Sequence, residues 1–379
     1  MIVIGIDGNE ANIAQRVGVN IYAFNLLQAL HKLQDEISKD YRFVIYLAEK
    51  PLPDMPKEVK GFWEYKIIPG KGLWIIKKLM PYLWLNKDHI DLLFTPSHYT
   101  VPLLPISRVV SITDLGYLEF SEQFEKKVFW QLKYWSAISI FVSKGIIAIS
   151  KNTADDILRH YPFASKKIKV THLAYDNSRF YFPIPKKNVR QVKRKYKIDK
   201  NYILYLGTLK PSKNVEGLID AFDIVSKDFP DLQLVIAGKK GWLFESIFKK
   251  VESLGLERKV IFTDFISEDD KAPLMAGASV FVCPSFWEGF GLIALEAMAC
   301  GTPVVVSNIA SFPEVVGDAG ILVDPYKKES IAKGISKVLK MNSLEYNKLV
   351  EAGLKQAALF SWEKTAKETL SFLKDIVKK

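Results

Sequence analysis

Two glutamates, Glu288 and Glu296, stand with seven residues between them, and Gly289, Phe290, Gly291 and Leu292 follow the first directly. An apolar strand ends near Cys283-Pro284, a glycine-containing loop follows, and good helix formers run over residues 292–299 until Gly301 stops them. Glycines ahead of a helix let backbone N–H groups approach a ligand. The unpaired donors and positive dipole end of the helix then suit a phosphate. Glu288 in the loop could accept hydrogen bonds from sugar hydroxyls. Glu296, about two turns further on, could do the same for a ribose. Two carboxylates flanking a phosphate cradle describe a site for a nucleotide sugar. The plainer alternative makes Glu288 a solvated loop acid and Glu296 a partner within its own helix, and glycine loops before helices are common enough to support it.

A cationic residue accompanies them. Lys213 lies in the strand-to-helix loop of the run Leu204-Tyr-Leu-Gly-Thr-Leu-Lys-Pro-Ser-Lys-Asn214, where a lysine can balance the charge of a departing diphosphate. No Asp-x-Asp pair is present, and the two cysteines, Cys283 and Cys300, form neither a metal spacing nor a disulfide framework. The reading is metal: none and cofactor: none, with the nucleotide sugar as co-substrate and a reducing, cytoplasmic setting.

The elements that must position these groups follow from patterning. Apolar runs of strand length occupy residues 3–6, 42–47, 92–94, 109–112 and 145–149, with helical patterns between several of them. The rhythm restarts at 202–206 and continues at 233–237, 260–262, 280–283 and 303–307, with helices over 215–228, 245–254 and 292–300. Alternation of this kind predicts an α/β chain of two Rossmann-like, doubly wound parallel-sheet domains facing a cleft. The 379-residue length agrees with two domains. The expected domains are 1–180 and 181–360. Ser361 is the N-cap of a final helix over 361–379.

Net charge is +11, of which residues 186–200 alone supply +7. Val189, Val192, Tyr196 and Ile198 are interspersed there, so the stretch reads as a solvated helix face and not as a nucleic-acid patch. The first residues lack a signal-peptide pattern, and residues 136–150 are too short and too broken by Lys144 to span a bilayer. Residues 74–80 and 129–135 mix aromatics with lysines. Either they are core-facing amphipathic helices or they make a peripheral membrane contact on the inner face of the membrane. The sequence carries no signal for oligomeric state.

The run from Cys283 to Asn308, with Glu288-Gly-Phe-Gly-Leu292, Leu295-Glu-Ala-Met-Ala-Cys-Gly-Thr-Pro-Val-Val305, Phe312-Pro-Glu-Val-Val-Gly-Asp-Ala-Gly320 and Val323-Asp-Pro325, resembles the E-x7-E signature of the large retaining glycosyltransferase family with the GT-B fold. The resemblance is specific over residues 202–325 and looser over 1–180. It implies a donor site made of Gly18, Gly207, Thr208, Lys213, Glu288, Gly289, Phe290, Gly291, Leu292 and Glu296. It also implies an N-terminal acceptor domain and a last helix crossing back to that domain. The family's usual arginine and glutamate near Lys213 are Ser212 and Lys210 here. Many relatives carry His-Asp where this chain has Thr113-Asp114. Thr113 cannot act as a general base, Asp114 could orient an acceptor hydroxyl, and His98 is a further acceptor-side candidate. The catalytic candidates are Glu288, Lys213 and Asp114.

The resemblance further implies transfer of a hexose with retention to a saccharide or lipid-linked acceptor in surface polysaccharide synthesis, with GDP-mannose as the first expectation for the donor. A nucleotide-sugar epimerase, a phosphorylase and a non-catalytic nucleotide-binding protein are the alternatives. Because a lysine and backbone donors stand where a metal would otherwise neutralise the diphosphate, turnover is expected to survive EDTA. Loss of activity that Mg²⁺ restores would contradict this.

Overall fold

The computed structural model describes residues 1–123 and 125–378. The chain divides into two compact units. The first is Met1–Leu173 together with the segment that begins at Ser361, and the second is Ala174–Phe360.

The first unit is built on a seven-stranded sheet. Its strands are β1 (Ile2–Asp7), β2 (Tyr41–Leu47), β3 (Trp63–Ile67), β4 (Leu92–Thr95), β5 (Ser107–Ile112), β6 (Gly145–Ala148) and β7 (Ile168–Val170), in the order β3-β2-β1-β4-β5-β6-β7. Every pairing is parallel. The second unit holds β8 (Tyr202–Leu206), β9 (Gln233–Ala237), β10 (Val260–Asp264), β11 (Val280–Cys283), β12 (Val304–Ser307) and β13 (Ile321–Val323), in the order β10-β9-β8-β11-β12-β13 and again all parallel. Parallel sheets need both faces covered, which is why β4, β6, β8, β9, β11 and β12 are buried along their whole length and read as unbroken apolar runs.

Strand order reverses between β1 and β4 in one sheet and between β8 and β11 in the other. Connections leave such neighbouring strands in opposite directions, opening a crevice at their carboxyl ends. The sequence pattern missed β3, β7 and β13. These are sheet-edge strands, two of them three residues long, and β3 carries Glu64 and Lys66 on partly exposed positions.

The final helix, Trp362–Lys378, is part of the first unit. Ser361 Oγ accepts from the Lys364 N–H at 3.2 Å, as its N-cap pattern predicts, and Thr365 Oγ1 donates to the His172 carbonyl at 2.6 Å. Gly145 leaves room for Phe372, whose ring a Cβ there would meet at 2.9 Å. The basic stretch forms the helix Lys186–Lys195, with Val192 and Ile198 buried and its charges outward. Residues 74–80 are helical and turn their apolar side chains to the core, although the first turn is π-type and not α-helical. Ile75–Leu79 is a wide π-type turn leading into the helix Met80–Trp84, and Trp74 and Leu79 are buried in the core while Lys77 and Lys78 are exposed.

The crevice of the second unit depends on a close backbone approach. Gly238, with φ of 148°, follows β9, and a Cβ on it would lie 1.9 Å from the Gly207 carbonyl oxygen at the end of β8. Gly238→Ala must strain φ and push these two loops apart. Chemical denaturation is expected to show a loss of at least about 2 kcal/mol.

Candidate active site

The loops after β8, β11, β12 and β13 are stitched together at one edge of the second sheet. Asn214 sits at φ of 53° ahead of the helix Val215–Asp228. Its amide donates to the Pro284 carbonyl at 3.0 Å and to the Pro325 carbonyl at 2.7 Å. Ser307 Oγ donates to the Ser285 carbonyl at 2.6 Å, and Ser311 Oγ to the Glu288 carbonyl at 3.0 Å. Within this frame Lys213 Nζ meets Glu288 Oε1 at 2.5 Å, with both side chains less than a fifth exposed. Ser285 Oγ donates to the same carboxylate oxygen at 3.4 Å. The Cys283 thiol lies 3.9 Å from it, and burial together with that charge pushes the thiol up to about 12, which keeps it protonated and unreactive.

Gly291, at φ of 88°, turns the chain into the helix Leu292–Ala299. A Cβ at Gly291 would meet the Phe312 ring at 2.9 Å, so both conformation and packing demand glycine. The helix closes with Thr302 N–H on the Ala297 carbonyl and Gly301 N–H on the Met298 carbonyl, both at 3.0 Å, a paired C-terminal motif that uses Gly301 at φ of 76°. Gly289 and Leu292 therefore flank a fixed helix N-terminus whose dipole favours an anion. The Phe290 ring is buried against Phe360 at 5.7 Å, so a ligand would meet this residue through its backbone. Gly207 and Thr208 end β8: the Gly207 N–H donates to the Ala237 carbonyl at 2.9 Å, and Thr208 accepts from the Tyr205 hydroxyl at 3.3 Å.

Glu296 is 8% exposed and its carboxyl is pushed up to about 7, chiefly by burial. Lys271 and Arg179 pull it down, while Glu268 and Asp176 push it up. Arg179 pairs with Glu268 at 2.7 Å, and Lys271 pairs with the same acid at 2.6 Å. Arg179 and Lys271 were not identified from the sequence. The Glu268–Lys271 spacing is legible as a helix pair, but nothing in it points to Glu296.

In the first unit, Gly18, at φ of 50°, begins the helix Val19–Lys32 with open space around its missing side chain. His98 and Thr113, at the ends of the adjacent strands β4 and β5, come together. His98 Nε2 accepts from the Thr113 N–H at 3.1 Å and lies 2.5 Å from Thr113 Oγ1. The imidazole keeps part of its surface open, yet its dense surroundings lower its pKa, against the pull of the Asp114 charge. A ring nitrogen that accepts a backbone N–H belongs to the neutral form. Asp114 Oδ1 accepts from the Gly116 N–H at 3.0 Å, which makes it the acid of a tight turn.

Near the β1–β4 reversal lies a cavity of about 390 Å³ lined by Asp7, Glu10, Trp74, Tyr99 and Trp135 among others. Asp7, 7% exposed, is pushed up to about 6 by burial, even though Asn9 donates to it through backbone and side chain at 3.1 and 2.7 Å. Glu10 is raised by burial and accepts from the Asn20 amide at 2.6 Å. No motif in the sequence marks these two acids. Their signal is positional, since Asp7 ends the first strand at the edge where open sheets bind ligands.

The comparisons with known proteins agree with this architecture. The profile of the family described as glycosyl transferases group 1 matches residues 186–356. O-antigen chain mannosyltransferase B of Escherichia coli is 31% identical over 297 residues, 77% of this chain and 76% of that protein. The serotype-specific mannosyltransferase WbdA of Escherichia coli is 34% identical over 224 residues, 58% of this chain but 27% of that longer protein. The solved structure of sucrose-phosphate synthase from Thermosynechococcus elongatus superposes with a TM-score of 0.74 over 99% of both chains at 20% identity, a likeness of fold. Two Rossmann-like parallel-sheet units of this kind define the GT-B glycosyltransferase class. Within it, the chain belongs to the group 1 glycosyl transferases.

The raised Glu296 pKa has a stability consequence with a definite sign. A carboxyl that ionises near 4.5 when unfolded and near 7 when folded costs nothing below pH 4.5, and costs most above pH 7. Glu296→Gln is therefore expected to gain on the parent protein as pH rises from 5 to 8, by on the order of 2–3 kcal/mol at most. Urea denaturation at both pH values checks this, and a gap that does not change with pH would contradict it.

Proposed function

We propose that this glycosyltransferase moves mannose from GDP-mannose, with retention, to a saccharide or lipid-linked acceptor in surface polysaccharide assembly. The observation that carries the reading is the largely buried Lys213–Glu288 pair beside the N-terminus of the helix Leu292–Ala299. The names of the mannosyltransferase relatives support the choice of sugar.

In this reading the donor diphosphate lies at the amides that follow Glu288 and draws Lys213 toward its oxygens, leaving the Glu288 carboxylate to accept hydroxyls of the sugar. The bond between C1 and the phosphate oxygen breaks first. Lys213 and the helix dipole stabilise the charge that collects on the leaving diphosphate, a preorganised electrostatic contribution. The acceptor hydroxyl then bonds to C1 on the same face and passes its proton to a leaving phosphate oxygen. No protein base is needed, consistent with a His98 that already spends Nε2 on Thr113. Glu296 accepts the ribose hydroxyls, which favours its ionised form and releases a proton on donor binding at neutral pH. The acceptor sugar occupies the Asp7–Glu10 cavity, whose tryptophans suit the apolar face of a pyranose. Lys213 and the backbone amides take the place of a divalent metal.

The test compares the parent protein with Glu288→Gln, using GDP-mannose and UDP-hexoses as donors. GDP and GDP-mannose are expected to raise the melting temperature of the parent more than UDP or ADP do. Transfer by the variant is expected to fall by about 10²–10³ with its secondary structure intact. Undiminished transfer in Glu288→Gln, or stabilisation by UDP alone, would overturn the assignment.

A further inference from the structure

The helix Lys126–Val142 has its polarity reversed for a surface helix. Its buried positions are Ser136, Ser139 and Ile140. Its outward positions include Trp130, Tyr134, Ile138 and Phe141, spaced four, four and three residues apart so that they form one stripe along the helix. Their exposures run from 40% at Ile138 to 69% at Phe141. Trp130 and Tyr134 stack at 5.4 Å, and Phe141 packs against the exposed Phe163 at 5.9 Å, which extends the stripe beyond the helix. Scattered single apolar residues are ordinary on a protein surface, but a contiguous aromatic stripe is not.

The charges along the helix itself are of one sign. Lys126, Lys127, Lys133 and Lys144 lie within or just after the helix, and residues 126–144 contain no acid. Lys133 Nζ stands 5.0 Å over the Trp130 ring, and Lys167 Nζ stands 5.7 Å over Phe163 while donating to the Phe141 carbonyl at 2.9 Å. Glu122 and Glu125 lie just before the first turn, where they suit the helix dipole. Two copies of this surface would bring lysines against lysines, whereas an anionic surface meets them with opposite charge.

We propose that this face docks the protein on a bilayer carrying anionic lipid headgroups. The aromatics enter the boundary between headgroups and acyl chains, and the lysines reach the lipid phosphates. The flank of the helix next to the stripe contributes Gln131 and Trp135 to the Asp7–Glu10 cavity. If the acceptor assignment above is right, docking brings that cavity to the surface where a lipid-linked acceptor is held. The docking itself does not depend on that assignment.

The test uses the full chain with vesicles of phosphatidylcholine alone or with phosphatidylglycerol added. Sedimentation at low salt is expected to show at least tenfold tighter partitioning onto the anionic vesicles, lost at high salt. The double variants Tyr134→Ser/Phe141→Ser and Lys126→Glu/Lys127→Glu are each expected to weaken partitioning about tenfold, with melting temperature and transfer to a soluble acceptor unchanged. Amide hydrogen exchange of residues 126–142 in the unmutated protein is expected to slow when anionic vesicles are added, and this readout needs no variant. Three results would each overturn the proposal: no partitioning at low salt, partitioning that neither variant affects, or a dimer in solution that Tyr134→Ser/Phe141→Ser dissolves. Loss of vesicle binding and loss of donor turnover are separate readouts, so either reading can fail without the other.

Discussion

Parallel pairing of β8 with β11 sends the chain after both strands to the same sheet edge, and the chemistry of the second unit rests on that constraint. Lys213 and Glu288 are 75 residues apart in sequence, yet each leaves its strand within a few residues of the other's position. The Asn214 amide bridges the loops after β11 and β13, and Ser307 and Ser311 fasten the loop that carries Glu288. Without these bonds the pair would be two long side chains on mobile loops, a surface contact of little energetic worth. With them, a lysine and a carboxylate are fixed beside a helix N-terminus.

Each unit also keeps a buried carboxyl under conditions that disfavour charge. Glu296 is pushed up to about 7 and Asp7 to about 6, in both cases mainly by burial. A folded chain tolerates such groups when something other than stability retains them, and strongly shifted acids in crevices are markers of functional sites. The cations near Glu296 are shared with Glu268 and so do not fully neutralise it. A polar ligand with hydroxyl donors would satisfy what the protein leaves unmet.

Much of the fold was legible because buried parallel strands cannot hide. Residues 202–206, 233–237 and 280–283 are buried on both faces, so they form unbroken apolar runs, and the structure places strands over those same residues. The edge strands β3, β7 and β13 escaped detection because an edge needs only part of its surface covered, and two of them are three residues long. At the candidate site, Gly291 and Gly301 could be read because backbone conformation is a local property that a glycine announces. Arg179, Lys271 and Glu10 could not, because their significance lies in which neighbours they acquire, and Asp7 is marked only by its place at the end of β1. The reversed helix at residues 126–142 illustrates the same limit: its composition is that of a core helix, and only exposure reveals that the aromatics face outward.

By itself, then, the sequence determined the two-sheet α/β class, the glycine-dependent turns and the run around Glu288 that marks the family, since each is encoded within a few consecutive residues. The tertiary structure alone decided that Lys213 pairs with Glu288, that Glu296 is buried enough to titrate near neutrality, and that His98 is held neutral against Thr113. Those outcomes depend on strand order and on desolvation, and both are set by residues distant in the chain that meet only when the sheets form.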